Sequence, residues 1–555
     1  MIELSKAKGQ TFVFGAVILI ISNILTKLIG AVLRIPLTNI VGVEGMAYYN
    51  AAYSIYVSFY MISTAGIPVA VSRMIASANS KNKHREIKKI FNVALILFFV
   101  IGFVGTAAMM IFAKQFANSA NMPGSYYAML AIAPTIFFIC ISSAYRGYFQ
   151  GLQNMVPTAV SQVIEALGKL CIGIFAAVYF TANVYPMHIV AAFVILGVTI
   201  GLLLSTVYAM IIKAMYNASA EYKNNLVDTD VSCRTNKAIL RELVLIAIPV
   251  TLASSIMGLT NVVDTMFLAN GLEVSGVTKT AATSYYGTYT SMVFPLFNLV
   301  PPFIYPFAIS AIPAISAAMS VGNREKVHRD IESAFRNCAI IAIPCAIGLG
   351  VLSDRIISFL FEQETIYNGN TYISTLDIAA PALSTVAVGI VFLGVISITN
   401  SVLQACQKEK YTIISTVSGI VVKIIATWSL SRIPDFGVLG AAIGTLLCYF
   451  TIMAVNVVCM IKTVGFVPNV VKIFAKPVVS GVACGVVALA CTNGLDTLGM
   501  SHRLVTLISI AAAGVTYLIV LLALKGLNEY DVRMMPKGDK LCRILDKLHV
   551  LEKGE

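Results

Sequence analysis

Asn23, Lys27, Gly30 and Arg34 fall at steps of four, three and four residues inside an otherwise apolar run that begins near Phe12. On a helix this spacing gathers them on one face, giving a polar stripe with a bare patch at Gly30. Two cations without a neighbouring acid can hold an anion. Phosphate suits them best, because Lys and Arg donate charge-assisted hydrogen bonds to its oxygens. The run is long enough to cross a bilayer, where a charge costs ~3 kcal/mol or more and tends to face a watery cavity or a partner. Lys27 lies deep in the run and is expected to line such a cavity. Arg34, nearer the end, fits a snorkelling side chain equally well.

The remaining charges at membrane depth are few. Arg73, Arg146, Lys169 and Lys423 are the cations, and Glu165 and Asp264 the acids. Glu165 precedes Lys169 by four residues, the spacing of an internal ion pair. Glu165 and Asp264 are read as sites of cation coupling or as ion-pair partners, with pairing the preferred reading for Glu165. Arg73 and Arg146 sit near the cytoplasmic ends of their runs, where snorkelling is the preferred reading over cavity lining. A cation-rich, acid-poor cavity complements an anionic cargo. It offers little to the cationic drugs that a cation-coupled multidrug exporter would carry.

The elements that position these residues follow from composition. The 555 residues are 58% hydrophobic and only 12% charged, with a mean hydropathy of +0.85. Uncharged stretches of membrane-spanning length recur from end to end. They are continuous rather than alternating, which excludes a transmembrane barrel. The chain is therefore expected to be an all-α polytopic membrane protein, with about fourteen spans by hydropathy. The first of these is read as a retained span rather than a signal peptide. The formal charge of +13 comes from Lys and Arg concentrated in alternate connections. Lys81, Lys83, Arg85, Lys88 and Lys89 mark the second, Arg234, Lys237 and Arg241 the sixth, and Arg324, Lys326 and Arg329 the eighth. That pattern belongs to a cell-membrane protein with both termini in the cytoplasm, not to a nucleic-acid binder. The eleven Cys are scattered in apolar segments without a CxxC pair, so they read as small core residues. No Walker A motif, metal-ligand cluster or external loop with a nucleophile is found. An enzyme is not expected, nor is a cofactor.

Five segments are expected: a first lobe over 1–215, a cytoplasmic linker over 216–240, a second lobe over 241–465, two further spans over 466–525, and a basic tail over 526–555. Each lobe holds six spans. Pro295, Pro301, Pro302, Pro306 and Pro313 crowd the eighth span, and each removes a helical hydrogen bond, so this helix is expected to be bent or broken. In the tail, Val532, Leu541, Ile544, Leu545 and Leu548 recur at roughly helical spacing among basic residues. They suit a helix lying on anionic lipid or a solvated charged tail.

The lobes also repeat one another. Ile67-Pro68 is answered by Ile312-Pro313, and Ala133-Pro134 by Ala380-Pro381. Gln150-Gly151-Leu152-Gln153 is answered by Gln404-Ala405-Cys406-Gln407, Ser161 and Lys169 by Ser415 and Lys423, and Gly197 and Gly201 by Gly440 and Gly444. An even number of spans per repeat gives both the same orientation, hence a pseudo-twofold axis along the membrane normal. Lys169 and Lys423 then occupy equivalent places and form a candidate anion site.

Several stretches carry a family resemblance: Thr26-Lys27-Leu28-Ile29-Gly30, Arg34-Ile35-Pro36-Leu37, Gly42-Val43-Glu44-Gly45, Ser63-Thr64-Ala65-Gly66-Ile67-Pro68, and Arg146-Gly147-Tyr148-Phe149-Gln150-Gly151. They resemble the stage V sporulation protein B branch of the multidrug/oligosaccharidyl-lipid/polysaccharide flippase superfamily, and the match runs over nearly the whole chain. The resemblance implies the MATE and lipid II flippase fold, two six-helix lobes plus two C-terminal helices. It implies transport of undecaprenyl-pyrophosphate-linked oligosaccharide or a peptidoglycan precursor, by alternating access, in wall, spore-cortex or polysaccharide synthesis. It also implies that basic residues of the first helix, here Lys27 and Arg34, reach a central cavity. The expected partners are an anionic lipid-linked glycan and membrane lipid, with Na+ or H+ coupling, and the expected state is a monomer. A multidrug exporter of the same fold and a non-transporting scaffold in wall assembly are the alternatives.

Overall fold

The computed structural model describes residues 12–64, 66–81, 83–218, 234–369 and 371–529. The predicted tail helix and most of the predicted linker lie outside these. Apart from one two-stranded hairpin the described chain is helical, and it is an all-α polytopic membrane protein. Among the described residues twelve helices are long and apolar enough to cross a membrane. The chain divides into two compact units, Met1–Ala269 and Asn270–Glu555.

The first unit begins with α1 (Phe12–Thr64), which runs through the first two predicted spans. Its continuity is broken at Gly42, where φ is 76° and ψ 168°, a conformation open to glycine at no steric cost. Helix α2 (Gly66–Ser80) follows, then α3 (His84–Ser119), α4 (Ser125–Gly151), α5 (Val156–Ala182) and α6 (Met187–Ala218). Helix α7 (Asn236–Val274) covers the seventh predicted span and is not among the twelve. Its Ile239, Leu243 and Ala247 enter a buried cluster with Ile75, Phe91 and Tyr148 of the first unit. Arg234, just before it, pairs with Glu86 and Glu242. Buried apolar area and ion pairs thus hold the start of α7 to α2, α3 and α4. A second cluster in this unit packs α1, α4 and α6 around Leu37, Met46, Ile132 and Val194.

Helices α5 and α6 approach with no side chain between them. A Cβ on Gly201 would stand 2.7 Å from the Glu165 carbonyl oxygen and 2.9 Å from the Lys169 nitrogen. Only glycine permits that approach of backbones, a device frequent between membrane helices.

The second unit contains the predicted break. Helix α8 (Lys279–Thr288) passes into a π-helical turn (Tyr289–Val293), then the short α9 (Phe294–Phe297), and α10 starts afresh at Pro301 and runs to Ser320. The prolines account for it: Pro301 and Pro302 stand at the new N-terminus, where the missing N–H costs nothing. Then come α11 (Arg324–Val351), α12 (Ser353–Leu360), strands β1 (Thr365–Asn368) and β2 (Thr371–Ser374), α13 (Thr375–Ala405), α14 (Glu409–Leu430) and α15 (Gly437–Val464). The strands pair antiparallel, Ile366 opposite Ile373. The last helices, α16 (Val470–Thr497) and α17 (His502–Ala523), bury Cys484, Ala488, Tyr517 and Leu521 against Leu352. Tyr517 Oη donates to the Ile340 carbonyl at 2.7 Å, and Arg355 pairs with Asp496.

The stretches paired in the sequence adopt similar local structure. Helices α4 and α13 each carry an internal proline, Pro134 and Pro381. Two residues beyond each helix end stands a glutamine with positive φ, 59° at Gln153 and 57° at Gln407. In each the glutamine N–H returns to the carbonyl three residues back, Gln150 and Gln404, at 3.0 Å. The next N–H, of Asn154 or Lys408, reaches the Phe149 or Leu403 carbonyl. These bonds satisfy carbonyls left open at the helix end. Gly444 answers Gly201: a Cβ there would meet Thr427 Oγ1 at 2.5 Å and the Thr427 nitrogen at 3.1 Å, so α14 and α15 approach as α5 and α6 do.

Candidate functional site

Within the first unit, α1, α4, α5 and α6 enclose a cavity of about 390 Å³. Its charged lining consists of Lys27 from α1, Arg146 from α4, and Glu165 and Lys169 from α5. Asn23, Gln162 and Tyr53 are also in the wall.

The helices hold these side chains through local contacts. Helix α5 begins with Pro157 in its first turn, a position suited to a residue without an N–H. Ser22 Oγ donates to the Ala159 carbonyl at 3.0 Å, which ties α1 to α5 one residue before Asn23. Lys27 and Asn23 lie exposed on α1 and both face the cavity. Gly30, one turn on, belongs to the same wall.

Arg146 is the best-held charge. Its guanidinium donates to Glu165 Oε2 at 2.8 Å, to Ser161 Oγ at 3.0 Å and to Ser205 Oγ at 3.2 Å. The side chain is 8% exposed and that of Glu165 23%. The planar fork of Arg fits several acceptors at once, so one residue links α4 to α5 and α6. The sequence spacing points Glu165 toward Lys169, yet its ion-pair partner is Arg146. The physical reason is reach: a buried guanidinium from the neighbouring helix brings more donors than the lysine one turn away. Arg146 is accordingly buried, not snorkelling.

Lys169 turns instead to α1. Its Nζ lies 4.5 Å from the centroid of the Tyr53 ring and 3.4 Å from Tyr53 Oη. Arg34 approaches the same ring, Cζ to centroid 5.6 Å. A ring face attracts cations through its quadrupole, so Tyr53 gathers two positive groups that would otherwise repel. Tyr53 carries no charge and is absent from a search for charges at membrane depth. The signal that finds it is a run of tyrosines at positions 49, 53, 56 and 60, spaced along one helix face.

The other predicted residues lie elsewhere. Arg73 is exposed on α2. Asp264 is buried in α7, next to Thr265, whose hydroxyl is 2.6 Å from Ser54 Oγ. Lys423 is fully buried in α14 of the second unit, its Nζ 5.9 Å from the Phe294 ring centroid. Asn23, Lys27, Arg146, Glu165 and Lys169 are thus brought to one cavity, with Arg34 beside it. Among the described residues no group of three His, Cys, Asp or Glu gathers as a metal site.

Arranged in this way, the cavity can neutralise an anion. Three cations against one carboxylate leave its lining with a formal excess of two positive charges, and that carboxylate is already engaged by Arg146. Residues 12–319 match the polysaccharide biosynthesis protein family. The chain belongs to that family. Within it, the chain is similar to the stage V sporulation protein B of Bacillus subtilis (strain 168), 27% identical over 95% of this chain and 98% of that one. It is also similar to the lipid II flippase MurJ of the same organism, 23% identical over 91% of this chain and 94% of that one. A solved structure of a lipid II flippase MurJ in an inward closed conformation superposes with a TM-score of 0.64, at 17% identity, over 90% of this chain and 97% of that chain. The fold is that of the flippase superfamily, as the resemblance implies.

Proposed function

We propose that this family member is a flippase that moves a lipid-linked, pyrophosphate-bearing glycan across the cytoplasmic membrane by alternating access. The observation that carries the reading is the formal positive excess of the first-unit cavity lining in an apolar helical segment, where cations are costly and tend to face a cavity or a ligand. Lys27 and Lys169 are assigned to the pyrophosphate, with Arg34, which approaches the Tyr53 ring, reinforcing the field. Arg146 and Glu165 are assigned to holding the wall. Lys423, at the place in the second unit equivalent to Lys169, is assigned to anion binding by that correspondence. Names of relatives support the cargo class: one is a lipid II flippase. The excess of positive charge disfavours a cationic drug as cargo.

The test is transport in proteoliposomes of undecaprenyl-pyrophosphate sugars, lipid II among them. Lys27→Arg keeps a cationic donor and should keep most of the transport. Lys27→Met keeps the apolar stem and loses the charge. A charge-assisted hydrogen bond is worth ~1.5–3 kcal/mol, so apparent affinity should fall roughly ten- to a hundredfold. A fully active Lys27→Met, at matched protein level, would falsify the assignment.

A further inference from the structure

The cavity has a wall that pyrophosphate binding leaves unused. Tyr49, Tyr53, Tyr56 and Tyr60 follow one another along α1 at steps of four, three and four residues. Neighbouring ring centroids are 5.8, 5.8 and 5.9 Å apart. Tyr53, Tyr56 and Tyr60 all line the cavity. A wall built only to close the space is better made of Leu or Val, which bring no hydroxyl that must find a partner in the membrane. We propose that this ladder is a stacking face for the sugar ring next to the pyrophosphate, and that it sets which glycans are carried. The proposal rests on the flippase reading for the nature of the cargo.

Three features support it. A pyranose presents C–H groups on its faces and hydroxyls on its rim. The C–H hydrogens are slightly positive and fit the negative face of an aromatic ring. The same cavity offers uncharged amides, Asn23 and Gln162, which both donate and accept and so suit hydroxyl and amide substituents. The third feature is order. Lys169 stands over Tyr53, the first rung in the cavity, so a phosphate held there leaves its attached sugar beside Tyr56 and Tyr60. A cavity of about 390 Å³ lies in the range of small-molecule sites, which suits recognition of the first sugars rather than of a long glycan.

The experiment measures binding to purified full-length protein of two lipids, undecaprenyl pyrophosphate and the same lipid bearing a disaccharide, alongside transport of the second. Wild type should bind the glycosylated lipid more tightly. Tyr56→Leu and Tyr60→Leu should each erase that preference, an affinity loss of about tenfold for the glycosylated lipid, with binding of the bare lipid unchanged. Tyr60→Phe keeps the ring face and should retain the preference. Lys27→Met should weaken both lipids alike. Thermal unfolding of every variant separates loss of binding from loss of fold, and a Leu variant that unfolds is replaced by the Met variant at the same position. Equal weakening of both lipids by the tyrosine variants, or a wild type without preference, overturns the ladder and leaves the flippase reading standing. A wild type that binds neither lipid overturns both.

Discussion

Arg146 shows how a single side chain can tie three helices together. It satisfies Glu165, Ser161 and Ser205 together, three acceptors on two helices. Removing it leaves a largely buried carboxylate without its counter-charge, which is the expensive way to break a pair. Arg146→Met is expected to destabilise the protein by about 3 kcal/mol, the lower end of the range for buried pairs, because Glu165 keeps some access to water. The double change Arg146→Met with Glu165→Gln removes both charges and should recover more than half of that loss. Unfolding in detergent, followed by tryptophan-independent thermal denaturation, checks both. A double variant no more stable than the single one would show that the hydroxyl contacts, not the ion pair, carry the cost. This pairing was not legible from spacing. Glu165 and Lys169 share a helix face, and nothing in a one-dimensional pattern brings Arg146 from α4 to the same place. The tyrosine ladder was written openly in the sequence at helical spacing, but uncharged rings do not stand out among 58% hydrophobic residues.

At the scale of elements, helix contacts position the charges. Glu165 and Lys169 both lie on α5 where Gly201 of α6 meets its backbone, so the distance between these helices sets where both side chains project. Gly201→Ala forces a methyl group against backbone atoms that cannot rotate away. Overpacking of this kind costs ~1–3 kcal/mol, and the same shift displaces Lys169 from Tyr53. Gly173→Ala, on α5, is the control: its Cβ would meet no neighbour closer than 3.7 Å, the Val194 carbonyl oxygen. There the change should be neutral or stabilise by about 0.5–1 kcal/mol, because alanine favours helix. Melting temperatures of the two variants, read beside transport, decide the matter; equal stability would mean that the close approach relaxes freely. Most elements were legible because apolar runs of membrane length are long and unambiguous, and the break before α10 was legible because proline leaves few alternatives. That the first two spans follow one another with only Gly42 outside helical geometry between them was not. Nor was the β1–β2 hairpin, whose eight strand residues lie in a short connection between strong helical signals.

For the whole molecule, the distribution of Lys and Arg is the physical quantity that sets direction in the membrane. Cations crowd alternate connections, among them Arg85, Lys88 and Lys89 at the start of α3 and Arg324, Lys326 and Arg329 at the start of α11. Moving such clusters across a bilayer against the positive-inside bias is unfavourable. The hairpin after α12 carries Glu362 and Glu364 and no Lys or Arg from 361 to 374. We propose on this ground that the two chain segments leading into α3 and α11 face the cytoplasm, and the hairpin the outside. A short tag inserted at Gly369, a turn glycine with φ of 66° between the strands, should be reached by an impermeant reagent in intact cells. A reporter fused after Glu555 should remain inaccessible until the membrane is opened. The sign of the result matters beyond topology. A pyrophosphate cargo made in the cytoplasm must enter from the side that the basic connections face, and those connections would also draw anionic headgroups toward the entrance. If the tag at Gly369 were protected and the fusion after Glu555 exposed, the cavity would still be positive. The direction of transport proposed for it would then have to be reversed.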